Sequence, residues 1–170
     1  MTQISLLIDP EKCTGCGTCE FVCSLKHVLE CNPERSMIRA LKFDRMGSYY
    51  VAIPVVCQQC ERPVCMDVCP VNAINQNPKT GAYVVNADAC IGCKLCVIAC
   101  PLGGIVVDSE KKIAMKCDLC DGDPLCAQFC LPRAIISMKK EKGMLAKKRE
   151  AVQKLSELLN LLTGTEFSGG

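Results

Sequence analysis

Short apolar runs separated by polar turns recur through the middle of the chain. Pro70-Val-Asn-Ala-Ile74 leads through Asn77-Pro-Lys-Thr-Gly81 into Ala82-Tyr-Val-Val85. Pro101-Leu-Gly-Gly-Ile105 leads through Val106, Val107 and the polar Asp108-Ser-Glu-Lys-Lys112 into Ile113-Ala-Met115. Each stretch predicts a short strand, a turn and a return strand. Pro132-Arg-Ala-Ile135 repeats the opening signal one residue shorter. Upstream, Tyr49-Tyr-Val-Ala-Ile53 reads as a strand completing a further hairpin. After Ser137 the period changes. Lys139-Lys-Glu-Lys-Gly143 predicts a linker, and residues 144–162 predict an amphipathic helix with Leu145, Val152, Leu155, Leu159 and Leu162 at heptad-like spacing. Residues 163–170 read as a frayed end.

Composition changes this picture. Of 170 residues, 17 are cysteine, and there is no Trp, so the core is poor in large rings and rich in thiols. The cysteines fall into four packets. Cys13, Cys16, Cys19 and Cys23 form C-x2-C-x2-C-x3-C, and Cys90, Cys93, Cys96 and Cys100 repeat it, with Pro101 next. Cys57, Cys60, Cys65 and Cys69 form C-x2-C-x4-C-x3-C, with Pro70 next. Cys117, Cys120, Cys126 and Cys130 form C-x2-C-x5-C-x3-C, and Cys31 is left over.

The spacing has a geometric reason. Three thiolates on a tight loop reach three corners of one iron–sulfur cube. The fourth cysteine lies on the following helix, points away and ligates the other cluster of a two-cluster pair. A structural zinc site instead draws on two well-separated C-x2-C pairs. The fourth packet leaves zinc or a [3Fe–4S] cluster open beside a cube. The repeat unit is therefore loop, short helix and hairpin strand, a ferredoxin-type αβ unit used about four times.

Over roughly Ile4 to Ser137 the pattern resembles the four-cluster polyferredoxin subunits of the dimethyl sulfoxide reductase iron–sulfur family. In size and plan it is similar to small electron-transfer subunits of tungsten aldehyde oxidoreductase-type enzymes, including those of anaerobic aromatic metabolism. The resemblance implies an α+β fold of two ferredoxin-like modules with nested connectivity, plus the C-terminal amphipathic helix. The core would span 1–138, with an inner module at about 54–110 and an outer one from 1–53 and 111–138. It also implies four [4Fe–4S] clusters. Cys57, Cys60, Cys65 and Cys100 would hold the first, and Cys90, Cys93, Cys96 and Cys69 the second. Cys13, Cys16, Cys19 and Cys130 would hold the third, and Cys117, Cys120, Cys126 and Cys23 the fourth. Two departures stand out: Cys23 has no following proline, and Cys130 is followed by Leu131.

Charge and missing motifs narrow the function. The formal net charge of +2 carries no basic footprint for nucleic acid. An oxidised cube with four thiolates carries about −2, so four would bring the loaded chain to about −6. An acidic body with a basic tail suggests two docking surfaces. No apolar run reaches transmembrane length. The opening residues lack a basic flank, cleavage site or twin-arginine pair, so the expected location is cytoplasmic, where thiols stay reduced. Each packet is a full cysteine set that leaves no iron open to substrate, and no GxGxxG turn, P-loop or Ser/His/acid set is present. The expected role is a non-catalytic electron-transfer subunit. It would relay single electrons between a catalytic tungsten or molybdenum oxidoreductase subunit and another partner, such as ferredoxin or a flavin subunit. The alternatives are a free-standing polyferredoxin shuttle and a zinc or thiolate-metal module. His27, the only histidine, reads as a packing or surface residue ahead of a ligand or proton-coupled one. Cys31 reads as a buried small hydrophobe or a spare thiol. The insert between Cys23 and Cys57, with its basic Arg35–Arg39 stretch, reads as a lid over the core ahead of a docking loop.

Overall fold

The computed structural model describes residues 4–44 and 50–139, together with Gln153 and Glu157. Gln153 and Glu157 are helical, with Gln153 Nε2 donating to Glu157 Oε1 at 3.4 Å. The remainder of the helix expected over 144–162, and the frayed end, lie outside the described residues. Lys139, assigned by the sequence to a linker, is the last residue of a strand.

Among the described residues, alternating burial and short polar turns produce four two-stranded antiparallel sheets. Strands β1 (Ile4–Ile8) and β8 (Ile135–Lys139) pair with Ile8 opposite Ile135. Strands β2 (Ile38–Asp44) and β3 (Tyr50–Val56) form the hairpin of the insert. Strands β4 (Ile74–Gln76) and β5 (Tyr83–Val85) form a third pair, and β6 (Ile105–Val107) and β7 (Ala114–Lys116) a fourth. Among the described residues up to Lys139, four α-helices complete the frame: α1 (Thr18–Val28), α2 (Val64–Asp67), α3 (Leu95–Ala99) and α4 (Leu125–Gln128). Helix α1 packs on α4, and α2 packs on α3.

Counted from the fourth cysteine of a packet, the repeat is closer than the prolines suggest. Ile74, Ile105 and Ile135 each follow Cys69, Cys100 and Cys130 at the same offset, and each opens a strand. The residue two before each isoleucine is left-handed: Asn72 at φ 48°, Gly103 at 60° and Arg133 at 56°. Each of these residues donates its backbone N–H to the carbonyl of the cysteine three positions earlier. The displaced Pro132 thus leaves the turn unchanged, because a left-handed residue, and not the proline, makes it.

Buried residues form two groups. One joins Leu6, Ile38, Val56, Leu119 and Ile135 to Cys23, Cys57, Cys117 and Cys126. The other joins Ile74, Ile105 and Ala114 to Cys65 and Cys96. Thiols here do the packing that aromatic rings do elsewhere.

The insert is tied down by charge. Arg35 is 4% exposed, and its guanidinium meets Asp108 Oδ2 at 2.9 Å, Glu110 Oε2 at 2.8 Å and Glu30 Oε2 at 3.2 Å. Asp108 follows β6, so this cluster clamps the insert to the β6–β7 turn. Burial works to raise the Asp108 carboxyl pKa. Hydrogen bonds from Arg35 and from the Lys111 and Glu110 backbone outweigh it and hold the group below the ordinary carboxylate range.

Candidate metal centres

Every packet is built on the same strained turn. The second spacer residue of each C-x2-C is left-handed: Gly15 at φ 66°, Gln59 at 48°, Gly92 at 68° and Leu119 at 61°. This conformation suits glycine and costs other residues about 1 kcal/mol or more. Leu119 offsets that cost by core burial at 1% exposed. Gln59 does so with hydrogen bonds. Its Nε2 donates to the Cys117 carbonyl, and its Oε1 accepts from the Tyr83 backbone N–H at 2.8 Å.

The placement of the later cysteines differs from expectation. In packets two to four the third cysteine sits on the short helix: Cys65 on α2, Cys96 on α3 and Cys126 on α4. The fourth lies at or just past its end, Cys100 being the C-cap of α3. Only in packet one are both on a helix, because α1 continues into the insert.

Three hollows each carry four cysteines. The first is lined by Cys13, Cys16, Cys19 and Cys130, with Thr14, Pro54 and Ile135 nearby. The second is lined by Cys69, Cys90, Cys93 and Cys96, and the third by Cys23, Cys117, Cys120 and Cys126. The remaining four form an electrostatic group: Cys57, Cys100 and Cys60 all push the Cys65 thiol up, after the larger effect of burial. All seventeen cysteines are free thiols, and Cys31 is exposed, so it is a spare thiol and not a buried one.

Backbone N–H groups aim at several of these sulfurs. Gln59 donates to Cys57 Sγ at 3.4 Å, Ala73 to Cys69 Sγ at 3.2 Å and Gly104 to Cys100 Sγ at 3.3 Å. Such bonds stabilise thiolates and raise cluster potentials. Burial opposes ionisation. It pushes the Cys19 thiol up to about 12, the Cys117 and Cys126 thiols strongly upward, and those of Cys13, Cys23, Cys96 and Cys120 upward. Exposed Cys16 is lowered instead by its hydrogen bond with Thr18. Buried thiols of this kind ionise when a metal takes the place of the proton.

The donor sets fit a cube better than a single ion. Zinc bound by four thiolates at about 2.3 Å holds the sulfurs about 3.8 Å apart. Among the described residues, the one group of three ligand atoms mutually within 4.8 Å is His27, Asp118 and Cys120, not three thiols. The cysteine sulfurs therefore ring a hollow. His27 Nε2 lies 3.7 Å from Cys120 Sγ and 3.5 Å from Asp118 Oδ1, on the wall of the fourth-packet hollow. Asp118 also forms the expected turn, its Oδ1 accepting the Cys120 N–H at 2.8 Å. Met37 on the same wall had no signal in the sequence.

Left-handed C-x2-C turns, cysteine-ringed hollows and N–H···S bonds define an iron–sulfur protein. Comparison with known proteins agrees. A 4Fe–4S dicluster domain matches residues 48–140, and a 4Fe–4S binding domain matches residues 5–25. The chain belongs to the 4Fe–4S dicluster family. It is 41% identical over 128 residues to the polyferredoxin-like subunit of an aliphatic sulfonate oxidoreductase from Pyrococcus furiosus, covering 75% of this chain and 72% of that one. It is 38% identical over 149 residues to a putative electron transport protein, YsaA, of Escherichia coli, covering 81% and 90%. To one subunit of the anaerobic dimethyl sulfoxide reductase of Escherichia coli it is 34% identical over 169 residues, covering 85% and 80%. The family resemblance read from the cysteine packets is borne out, and with it an electron-transfer role. Among the described residues no helix is long and apolar enough to cross a membrane.

Proposed function

We propose that this chain carries four [4Fe–4S] clusters. They would relay single electrons between a catalytic oxidoreductase subunit, a tungsten or molybdenum enzyme, and a second partner such as ferredoxin or a flavin subunit. The carrying observation is that four cysteines from two sequence-distant packets ring each of three hollows. The ligand sets are Cys57, Cys60, Cys65 with Cys100; Cys90, Cys93, Cys96 with Cys69; Cys13, Cys16, Cys19 with Cys130; and Cys117, Cys120, Cys126 with Cys23. This is a nested plan, an inner unit at about 54–110 enclosed by an outer one. The pairing of first and last strands, and of α1 with α4, supports it.

The clusters supply one-electron storage, and the protein supplies thiolates, N–H···S bonds and burial. Their order along the relay follows from neighbouring sulfurs. Cys57 acts electrostatically on Cys117, and Cys19 on Cys126. This supports a line running from the Cys90 cluster through the Cys57 and Cys117 clusters to the Cys13 cluster. All sixteen ligands are cysteines, so substrate chemistry belongs to the partner, and a cytoplasmic site keeps the thiols reduced.

An anaerobic pull-down through this chain, with metals counted in the same sample, tests the reading. Recovery of a large tungsten or molybdenum protein in fixed ratio, with about 16 irons per copy of this chain after the partner's own iron is subtracted, is expected. Recovery of this chain alone, brown and iron-loaded, makes it a mobile shuttle. A colourless zinc protein overturns both.

A further inference from the structure

Lys116 ends β7 immediately before the fourth packet and is 4% exposed. Its ammonium donates to Gln59 Oε1 at 3.1 Å and to the Tyr83 carbonyl at 2.6 Å, and it lies 5.7 Å from the centroid of the Tyr83 ring. All three partners are neutral. The ion pairs among the described residues belong to Lys12, His27 and Arg35, each of which meets a carboxylate. Lys116 meets none among the described residues. A buried charge is tolerated where an opposite charge lies within the same low-dielectric region.

That opposite charge is at hand only as thiolates. Lys116 acts directly on Cys65, pulling its thiol down against the larger upward push of burial, while Cys57, Cys100 and Cys60 also push it up. Gln59, which holds the ammonium, is the left-handed residue of the second packet and donates its backbone N–H to Cys57 Sγ. The same side chain reaches the Cys117 carbonyl and the Tyr83 N–H, so the cation is fixed from three segments at once. The other lysines near cysteine hollows differ. Lys94 beside the third packet and Lys26 beside Cys120 are both exposed, where water and salt screen them.

We propose that Lys116 is the built-in counter-cation of the cluster held by Cys57, Cys60, Cys65 and Cys100, and that it raises that cluster's reduction potential. The inference rests on the four-cluster reading. Adding one electron to a tetrathiolate cube adds one negative charge. A cation fixed in a dry shell beside it therefore stabilises the reduced form over the oxidised form. An electron crossing the inner half of the chain is held at this cluster. Lys116 is a positioning charge and not a ligand.

The test is an anaerobic redox titration of the full-length, iron-loaded chain followed by electron paramagnetic resonance. Wild type is compared with Lys116→Met, Lys116→Gln and Lys116→Arg, and Cys60→Ser identifies the signal of this cluster. In the Met and Gln variants the cluster should become at least tenfold harder to reduce, a negative shift of about 59 mV or more. Its three companions should change less than about threefold, and the Arg variant should stay within about threefold of wild type. Fully loaded Met and Gln variants with unchanged potentials overturn the proposal. Should both fail to retain this cluster, retention by Arg alone still assigns the role to charge. Loss in all three variants assigns Lys116 to packing and overturns it. Wild type without clusters would instead refute the four-cluster reading itself.

Discussion

The hollow ringed by Cys23, Cys117, Cys120 and Cys126 and that ringed by Cys69, Cys90, Cys93 and Cys96 carry the same four-cysteine set in opposite surroundings. In the first, Cys23, Cys117 and Cys126 are buried behind Met37, Ile38, Val56 and Pro124. In the second only Cys96 is buried, Cys93 is exposed, and the wall residue Ile91 is 63% exposed. One cysteine-rich repeat thus yields a deep site that doubles as hydrophobic core and a shallow one open to solvent. Solvent stabilises the more negative, reduced cube, so exposure alone separates the two potentials.

The sharpest way to break this comparison is to damage both sites equally. Cys117→Ser should remove about four irons per chain and sharply reduce the yield of folded protein, because Cys117 packs with Leu6, Ile38 and Ile135. Cys93→Ser should retain its cluster, with a water-exposed oxygen ligand and an altered resonance signal. Iron content and electron paramagnetic resonance read the difference. Equal iron loss in the two variants would erase the distinction between deep and shallow sites.

Adjacent glycines sharpen it next. A Cβ on Gly104 would sit 2.7 Å from Cys57 Cα and 2.9 Å from Cys57 N, backbone atoms that cannot yield. On Gly103 it would meet only Val55 Cγ1, at 3.9 Å. Gly104→Ala should destabilise the chain by about 1–3 kcal/mol and disturb the Cys57–Cys100 cluster. Gly103→Ala should cost about 1 kcal/mol, from its positive φ alone. Anaerobic denaturant titration separates them, and equal losses would show that close packing against Cys57 is not limiting.

Sequence reading reached the repeated parts of this molecule and missed the singular ones. Cysteine spacing and the isoleucine that follows packets two, three and four are local signals, so hairpins β4–β5 and β6–β7 were legible. Pairing of β1 with β8 joins the two ends of the described core and leaves no local trace. Arg35, in the basic stretch of the insert, is buried against Glu30 of the same insert and against Asp108 and Glu110 of the distant β6–β7 turn. Lys116, at the end of β7, is buried against Gln59 of the second packet and Tyr83 of β5. In each case the neighbour that sets the environment is remote in sequence. Gln59 and Leu119 hid for another reason: the glycines of packets one and three reveal the left-handed turn, while these two replace it with compensating contacts.

The clamp around Arg35 gives a smaller, pH-dependent effect. The folded Asp108 pKa is depressed, so its stabilisation is present above the unfolded value of about 3.9 and is lost as pH falls through the folded value. Asp108→Asn should lower the unfolding midpoint by roughly 5 °C near neutrality. Wild type and variant should converge as the pH drops below about 4. A difference that persists unchanged below that range would mean that the carboxylate charge is not what holds the insert.

The smallest effect is expected where the deep hollow meets its polar wall. His27 is half-buried near the end of α1 and reaches both Cys120 and Asp118, but Cys120 already has three cysteine companions around the hollow. His27→Phe should therefore leave the iron content unchanged and alter one cluster's resonance signal, with its potential moving less than tenfold in equilibrium terms, under about 59 mV. An imidazole beside a sulfur changes the electrostatics of one corner, whereas a ligand change alters the bonding of one iron. If His27→Phe instead removed irons as Cys117→Ser does, the imidazole would be a ligand. The fourth packet would then differ from the other three in chemistry as well as in depth.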